Sequence, residues 1–383
     1  MRVNDIIKEY YIDPKYLSIY RILYCCIVMF IIGLPSYTWI SGSLNYLFDP
    51  PMFSIAALFD KFPAPWFFII ITILNLSFFM LMFLGVGTRW TSLFFSITCI
   101  LGHNFWYSFG KIDHLILWYL APAFLGFAGW GKYFSINIFK KNYLLHEVRI
   151  NTNAMLILLF ALSIGFSMFT SAAQKISGGW LSWSGEGVRF NFLRNYLSLN
   201  RNNLLTEPLL GLQNHLFWKF MDYAALVLEF GFILSTIRIS YFRLFITVGV
   251  IFHILVLLMF NIPFYSNLIV YLIFIDWKLL QSKWGLQILY HAQERLIVKM
   301  MVCLSVLLTS LWGLLLINKT YFFTFPGLLE FVLGIFSIPN SFEVSLSLFF
   351  LLVFIFTVYM VYCHIELYIK KNNKIYTGGH SNV

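Results

Sequence analysis

The stretch WFFIIITILNLSFFMLMFLGV, residues 66–86, is 21 residues long and contains no ionisable side chain. An α-helix rises about 1.5 Å per residue, so about 20 apolar residues cross the hydrocarbon core of a bilayer. This stretch therefore predicts a transmembrane helix, and comparable stretches recur along the chain. The ten predicted spans are 17–40, 66–86, 91–110, 112–131, 152–176, 216–236, 241–260, 263–277, 299–317 and 342–365.

The composition of the whole chain agrees with these spans. Of the 383 residues, 60% are hydrophobic and 11% are charged, and the mean hydropathy is +0.80. Soluble domains have about 45–50% apolar and about 25% charged residues. The composition excludes a soluble domain, a disordered chain and a disulfide-stapled module. It predicts an all-α integral membrane protein, a multi-pass helical bundle of about ten spans. The lipid bilayer is therefore an expected partner of the protein.

The basic residues predict how the bundle is oriented. With a cytoplasmic N-terminus, 17 Lys and Arg residues fall in cytoplasmic segments and 8 in extracytoplasmic ones. The positive-inside rule therefore favours cytoplasmic positions for both termini. The net charge of +10 comes from residues scattered over the loops, which favours contact with anionic headgroups and argues against a nucleic-acid partner.

Four segments follow from this reading. Residues 1–15 form a cytoplasmic N-terminal segment, 16–280 a first transmembrane domain, 281–365 additional helices and 366–383 a cytoplasmic tail. A long extracytoplasmic loop near 177–215 interleaves aromatic and basic side chains, a mixture typical of membrane interfaces. The apolar stretch Tyr321–Pro339 is broken by Pro326 and is predicted to be interfacial or re-entrant.

Ionisable residues inside spans are costly and mark candidate functional sites. The predicted topology gathers four titratable groups toward the extracytoplasmic face, namely His114, Lys175, His215 and His253. Glu229 and Asp276 are predicted to lie toward the cytoplasm, apart from this group. Asp222 and Glu229 could pair with Arg21 or Lys219 as structural contacts.

A lysine at a desolvated helix end loses its charge more readily than in water, and a neutral lysine is a competent base for a phenol or hydroquinone. Lys175 could be such a base, with His114 assisting. Alternatively, Lys175 extends to the interface and His114 caps its helix. The Cys, His, Asp and Glu residues show no metal-ligand spacing, so no metal is predicted.

Several segments together resemble one family, the horizontally transferred transmembrane (HTTM) domain, which is similar to the membrane region of vitamin K-dependent gamma-glutamyl carboxylase. The segments that carry the resemblance are YRIL at 20–23, LGVGTRW at 84–90, DHLILWYLAPAFLGFAGWGKYFSIN at 113–137, AAQKISGGWL at 172–181 and FH at 252–253, followed by Phe260. Asn137 stands where the family motif commonly has Asp, and Ile176 follows the lysine in place of Leu. The resemblance covers the membrane region alone, and none of the segments between the predicted spans is expected to replace the carboxylase's large luminal domain.

The resemblance implies specific roles. In the carboxylase, the corresponding lysine deprotonates vitamin K hydroquinone and the corresponding histidine assists it, which implies Lys175 as catalytic base and His114 as catalytic assistant. His253 and Trp180 would bind the cofactor, a reduced quinone. The family also implies a bacterial cytoplasmic membrane.

Three classes of function follow. The first is a quinol-dependent enzyme that modifies a peptide or membrane-accessible substrate at the extracytoplasmic face. The second is a non-catalytic partner that binds a lipid or a small exported peptide in maturation or immunity, using Trp180, Trp183 and Arg189. The third is a transporter, favoured only by the intramembrane acids Asp222 and Glu229.

Overall fold

The computed structural model describes residues 3–110, 115–139, 149–284, 294–317 and 324–335, together with 344, 346–355, 357, 358 and 361. These residues are predominantly helical. The α-helices are α1 (Val3–Glu9), α2 (Pro14–Ile27), α3 (Pro65–Leu84), α4 (Thr88–Trp106), α5 (Ile116–Ala128), α6 (Ile150–Ser177), α7 (Gly187–Leu199), α8 (Thr206–Leu210), α9 (His215–Ser235), α10 (Ile239–Phe260), α11 (Tyr265–Tyr271), α12 (Trp277–Trp284), α13 (Glu294–Ile317), α14 (Leu328–Ile335) and α15 (Leu346–Ile355).

Five helical segments are long and apolar enough to cross a membrane. They are Pro14–Ile32, Pro65–Leu84, Ile150–Ser177, Ile239–Phe260 and Glu294–Leu316. The segment Pro14–Ile32 continues α2 through a π-helical turn at Val28–Ile32. The expectation of a helical chain rich in membrane-spanning segments is confirmed at this level. The total of ten spans and the cytoplasmic termini stay predictions.

The α3–α4 hairpin shows how local sequence sets helix ends. Pro65 occupies the first turn of α3, where a missing N–H costs nothing. Gly85 ends α3 in the left-handed conformation with φ 79°, and Gly87 precedes α4 with φ 52°. Both glycines are left-handed, a conformation that glycine adopts without steric cost because it has no Cβ. The two helices then pack side by side, with the rings of Phe79 and Phe95 5.5 Å apart.

A buried arginine joins α2 to the segment after α5. Arg21 is fully buried and donates hydrogen bonds to the carbonyl oxygens of Trp130, at 3.0 Å, and Phe134, at 2.6 Å. Ser135 Oγ in turn donates to the carbonyl of Gly85 at 2.8 Å. Three of the segments that carry the resemblance, 20–23, 84–90 and 113–137, therefore meet in space.

The helices α6 and α9 form the scaffold of the candidate functional site. They pack closely because Gly165 leaves room, and a Cβ added there would lie 2.9 Å from Ile233 Cα. Gly165 of α6 faces Ile233 of α9, and Phe169, further along α6, contacts Phe230, which lies earlier in α9, so the pair is antiparallel. The helices α7 and α10 pack against α9. These four helices surround the candidate site described below.

Strand structure in the described residues is limited to one short pair. Leu34–Pro35 pairs antiparallel with Thr324–Phe325. Pro326 follows the second strand, and α14 begins at Leu328. The predicted break at Pro326 is therefore present, whereas 321–323 and 336–339 lie outside the described residues.

Candidate functional site

A cavity of about 450 Å³ lies between α6, α7, α9, α10 and the segment before α11. Its walls are mostly apolar, with Met168, Val188, Val256 and Phe264 among them. Polar groups line the cavity too, and they include Lys175, Trp180, Glu229, His253 and Asn267. An apolar cleft of roughly 300–1,000 Å³ with a few convergent polar groups is typical of a small-molecule site.

The end of α6 folds Trp180 back over Lys175. The N–H of Trp180 donates to the carbonyl of Lys175 at 3.1 Å, and the N–H of Gly179 donates to that of Ile176 at 3.1 Å. Gly179 has φ 84°. This is the Schellman arrangement, which needs a left-handed residue and is best met by glycine. As a result, Lys175 Nζ lies 5.2 Å from the centre of the Trp180 ring, within cation–π range.

Lys175 forms an ion pair with Glu229 of α9, in which Nζ donates to Oε1. Side chains on a helix tilt toward its N-terminus, so on antiparallel α6 and α9 the two side chains lean toward each other along the helix axes. Glu229 therefore contacts Lys175, and the expectation that it lies apart from Lys175 is wrong. That expectation used the depth of each Cα and ignored the reach of two long side chains.

Glu229 is buried, with 4% of its side chain exposed, whereas Lys175 is 24% exposed. Its second oxygen, Oε2, has no hydrogen-bond partner among the described residues. A buried acceptor without a partner is energetically costly, so such an atom in a cavity wall indicates a place for a donor group of a ligand.

His253 and Asn267 form another part of the cavity wall. His253 Nε2 lies 3.3 Å from Asn267 Nδ2 and 3.2 Å from Tyr271 Oη. Asn267 is buried, and its Oδ1 has no hydrogen-bond partner among the described residues. The cavity therefore offers a second buried acceptor besides Glu229.

A second ion pair holds the loop above the cavity. Lys219 and Asp222, both buried, lie 2.9 Å apart on α9. Lys219 Nζ also donates to the carbonyls of Trp180 and Ser182, each at 2.9 Å. The Asp222 carboxylate accepts from the N–H groups of Gly187, at 3.1 Å, and Val188, at 2.7 Å. A carboxylate at the start of α7 also complements the helix dipole. The predicted pairing of Asp222 with Lys219 is confirmed.

Glu186, just before α7, links the loop to α9 at the protein surface. Its carboxylate accepts from Arg189 at 2.8 Å and contacts His215 Nδ1 at 2.7 Å. The hydrogen bond from Arg189, and next that from His215, hold the pKa of Glu186 below its ordinary value. His215 therefore belongs to this surface cluster.

The other predicted residues have the following positions. Lys175, Trp180 and His253 line one cavity, whereas His114 lies outside the described residues. Asp276 is paired with Arg243 at 3.0 Å, away from the cavity walls. Arg21 binds backbone carbonyls and neither of the acids considered for it.

Sequence reasoning missed Asn267 as a functional candidate. Asn267 opens the otherwise apolar run NLIVYLIF, and a polar amide beside so many apolar residues could have marked it as a candidate. Glu229 carried a stronger signal, because an acid inside a predicted span is unusual. Depth alone assigned it to the wrong group.

The residues present fit a hydroxylated, largely apolar ligand. Apolar walls suit a ring system or hydrocarbon chain, while Glu229 Oε2 and Asn267 Oδ1 suit hydroxyl donors. A reduced quinone, with two hydroxyl groups on an apolar ring, meets both requirements. Comparison of the chain with models of protein families, with curated proteins and with solved structures finds no match.

Proposed function

We propose that the protein binds a lipid-soluble hydroxylated molecule of the reduced-quinone class in the cavity and ionises its hydroxyl at the Lys175–Glu229 pair. In this proposal it is an enzyme that uses the ionised ligand to modify a peptide or membrane-accessible substrate at the extracytoplasmic face. The observation that carries the proposal is the unpartnered Oε2 of buried Glu229, beside a lysine, in an apolar cavity.

The positions of the side chains support distinct roles. Trp180 covers Lys175 and Phe264 lies 4.9 Å from His253, ring centre to ring centre, so aromatic groups flank the polar end. Aromatic faces suit the flat ring of a quinol. Apolar walls lower the local dielectric constant, which strengthens the electrostatic effect of Lys175 on a developing negative charge.

Membership of the HTTM family and the membrane topology are part of the same proposal. Segment 113–137 contacts both 20–23, through Arg21, and 84–90, through Gly85. These contacts support the resemblance, because three separate motifs then pack together. We propose about ten spans, both termini in the cytoplasm, and a bacterial cytoplasmic membrane as the location. The proposed partners are the lipid bilayer and a small exported peptide.

The test is to identify small molecules that co-purify with the protein. Protein in mild detergent is extracted with organic solvent, and mass spectrometry compares the wild type with Lys175→Ala and with Lys278→Ala, which removes an exposed lysine of α12. A quinone or quinol that falls at least tenfold in Lys175→Ala but not in Lys278→Ala is the expected result. Bulk phospholipid alone in the wild type would overturn the proposal.

A non-catalytic role as a peptide-binding partner is the second candidate. The observation in its favour is the outer loop, where Trp183, Phe190 and Leu197 are 59%, 67% and 73% exposed. Under this alternative, Trp183→Ala and Phe190→Ala weaken cross-linking to an exported peptide, while Lys175→Ala has no effect. Loss of cross-linking in Lys175→Ala would exclude it.

A further inference from the structure

We propose that Glu229 is the group that accepts the ligand proton and that Lys175 stays a cation which stabilises the resulting negative charge. The inference rests on the proposed function, because it assigns roles within the same site. It changes the assignment made from the sequence, in which Lys175 was the base.

The contacts of Lys175 are those of an ammonium group. Nζ donates its hydrogen bond to Glu229 Oε1 and lies over the face of the Trp180 ring. The negative face of an indole attracts a cation, and an ammonium has three donors and no lone pair. While the ion pair is intact, Lys175 therefore has no atom that can accept a proton.

The contacts of Glu229 are those of an acceptor with one place open. Its Oε1 is taken by Lys175, whereas Oε2 is buried and has no partner among the described residues. The side chain lines the cavity, and 4% of its surface is exposed. An ionised carboxylate is acceptor-only, so a ligand hydroxyl is the complementary group for Oε2.

The proton transfer balances without any further reactant. The O–H bond of the ligand breaks, its proton binds Glu229 Oε2, and the electron pair stays on the ligand oxygen. The carboxylate loses its charge as the ligand oxygen gains one, so Lys175 exchanges one anionic partner for another. A fixed cation beside a developing oxyanion is the usual means of stabilising it in a low-dielectric site.

His253 is the third titratable side chain of the cavity among the described residues. Its Nε2 faces Asn267 and Tyr271, so this nitrogen is directed at the protein. Asp222 and Lys219, the nearest other charges on α9, are occupied by each other and by the loop backbone. These contacts occupy Asp222, Lys219 and one nitrogen of His253, whereas Glu229 Oε2 has no partner among the described residues.

The experiment uses 2-methyl-1-naphthol, which has the ring of a methylated naphthohydroquinone but only one of its two hydroxyl groups. With a single hydroxyl group, the probe cannot form the quinone by losing two hydroxyl hydrogens. The full-length protein in detergent is titrated at fixed neutral pH, quenching of tryptophan fluorescence reports binding, and absorbance reports the ionised fraction of the bound probe. The variants are Glu229→Gln, Lys175→Arg and Lys175→Met. Asp276→Asn is the control for Glu229→Gln, because it also replaces an ion-paired acid by its amide but lies away from the cavity walls.

Arginine keeps the positive charge but does not deprotonate in proteins, so it separates a cationic role from a basic one. The expected result is that Glu229→Gln lowers the ionised fraction at least tenfold, Lys175→Met lowers it strongly, and Lys175→Arg lowers it less than threefold. Asp276→Asn leaves it unchanged. Each variant is titrated to saturation by quenching, so the ionised fraction is compared at equal occupancy even where the affinity is lower.

Three results would overturn the inference. Ionisation that persists in Glu229→Gln but disappears in Lys175→Arg assigns the base to Lys175 and leaves the proposed function standing. Ionisation that persists in both variants assigns the proton to a third group such as His253. Failure of the wild type to bind the naphthol overturns the proposed function and this inference together.

Discussion

Lys219 and Asp222, three residues apart on α9, form a buried ion pair of 2.9 Å that fastens the loop over the cavity. The lysine holds the carbonyls of Trp180 and Ser182, and the aspartate holds the first N–H groups of α7. One pair thereby fixes both ends of the segment that carries Trp180. The Lys219–Asp222 pair does not line the cavity, but the position of Trp180 beside Lys175 depends on it.

Asp222→Ala should release this loop. The change leaves Lys219 buried without its counter-ion and removes the acceptor from Gly187 and Val188. Loss of one partner of a buried pair costs about 3–5 kcal/mol of unfolding free energy. We expect a lower thermal midpoint in detergent and faster proteolysis within residues 178–187.

The matched control is Glu207→Ala, which removes an exposed acid from α8. It should change neither the midpoint nor the cleavage rate. Equal cleavage of the wild type and Asp222→Ala would show that the pair does not hold the loop.

Lys175→Met should destabilise the protein by about 2 kcal/mol, less than for a fully buried pair because Lys175 is 24% exposed. The loss arises because Glu229 keeps a buried charge without a counter-ion. The double variant Lys175→Met/Glu229→Leu should recover at least half of it, since no uncompensated charge is left. Thermal unfolding in detergent measures both effects.

The Arg243–Asp276 pair provides the comparison. Its side chains are 25% and 31% exposed, so Asp276→Asn should cost less than about 1 kcal/mol. A double variant no more stable than Lys175→Met alone would contradict the charge argument and indicate loss of packing.

Gly187→Ala should displace Trp180 from Lys175. A Cβ at this position would lie 2.4 Å from Trp180 Cδ2, so the indole ring must move. We expect altered tryptophan fluorescence and at least tenfold weaker binding of 2-methyl-1-naphthol. Gly211→Ala is the control, because a Cβ there meets nothing within 4 Å. Unchanged binding in Gly187→Ala would show that Trp180 does not shape the site.

Acid should loosen the contact between α7 and α9 at Glu186. Its pKa is lowered by the hydrogen bond from Arg189, and next by that from His215, so the folded state binds this proton less readily than the unfolded chain. The stabilisation is therefore present above the ordinary glutamate pKa of about 4.3 and is lost as pH falls through the lowered value. Fluorescence of Trp183, whose ring packs on His215, measures the change.

Glu186→Gln should abolish this pH dependence, because an amide does not titrate in the range. Glu207→Gln should leave it intact. A transition in Glu186→Gln identical to that of the wild type would assign the acid response to another group.

Several features of the fold were predictable from composition and spacing. An apolar stretch such as 66–86 predicts its own helix, since its length and lack of charge leave few alternatives in a bilayer, and α3 occupies Pro65–Leu84. The gathering of Lys175, Trp180 and His253 also followed from topology and resemblance. They share one cavity because α6 and α10 both pack against α9.

The partner of Lys175 and the open acceptor on Glu229 were decided by tertiary structure. Sequence periodicity gives the depth of a residue along its helix, but the direction and reach of its side chain depend on the neighbouring helix. On antiparallel α6 and α9, the tilt of side chains toward each N-terminus brings together two residues whose Cα positions differ in depth. The sequence by itself thus determined the membrane helices and the lysine, whereas only the packing of α6 against α9, made close by Gly165, determined which acid the lysine meets.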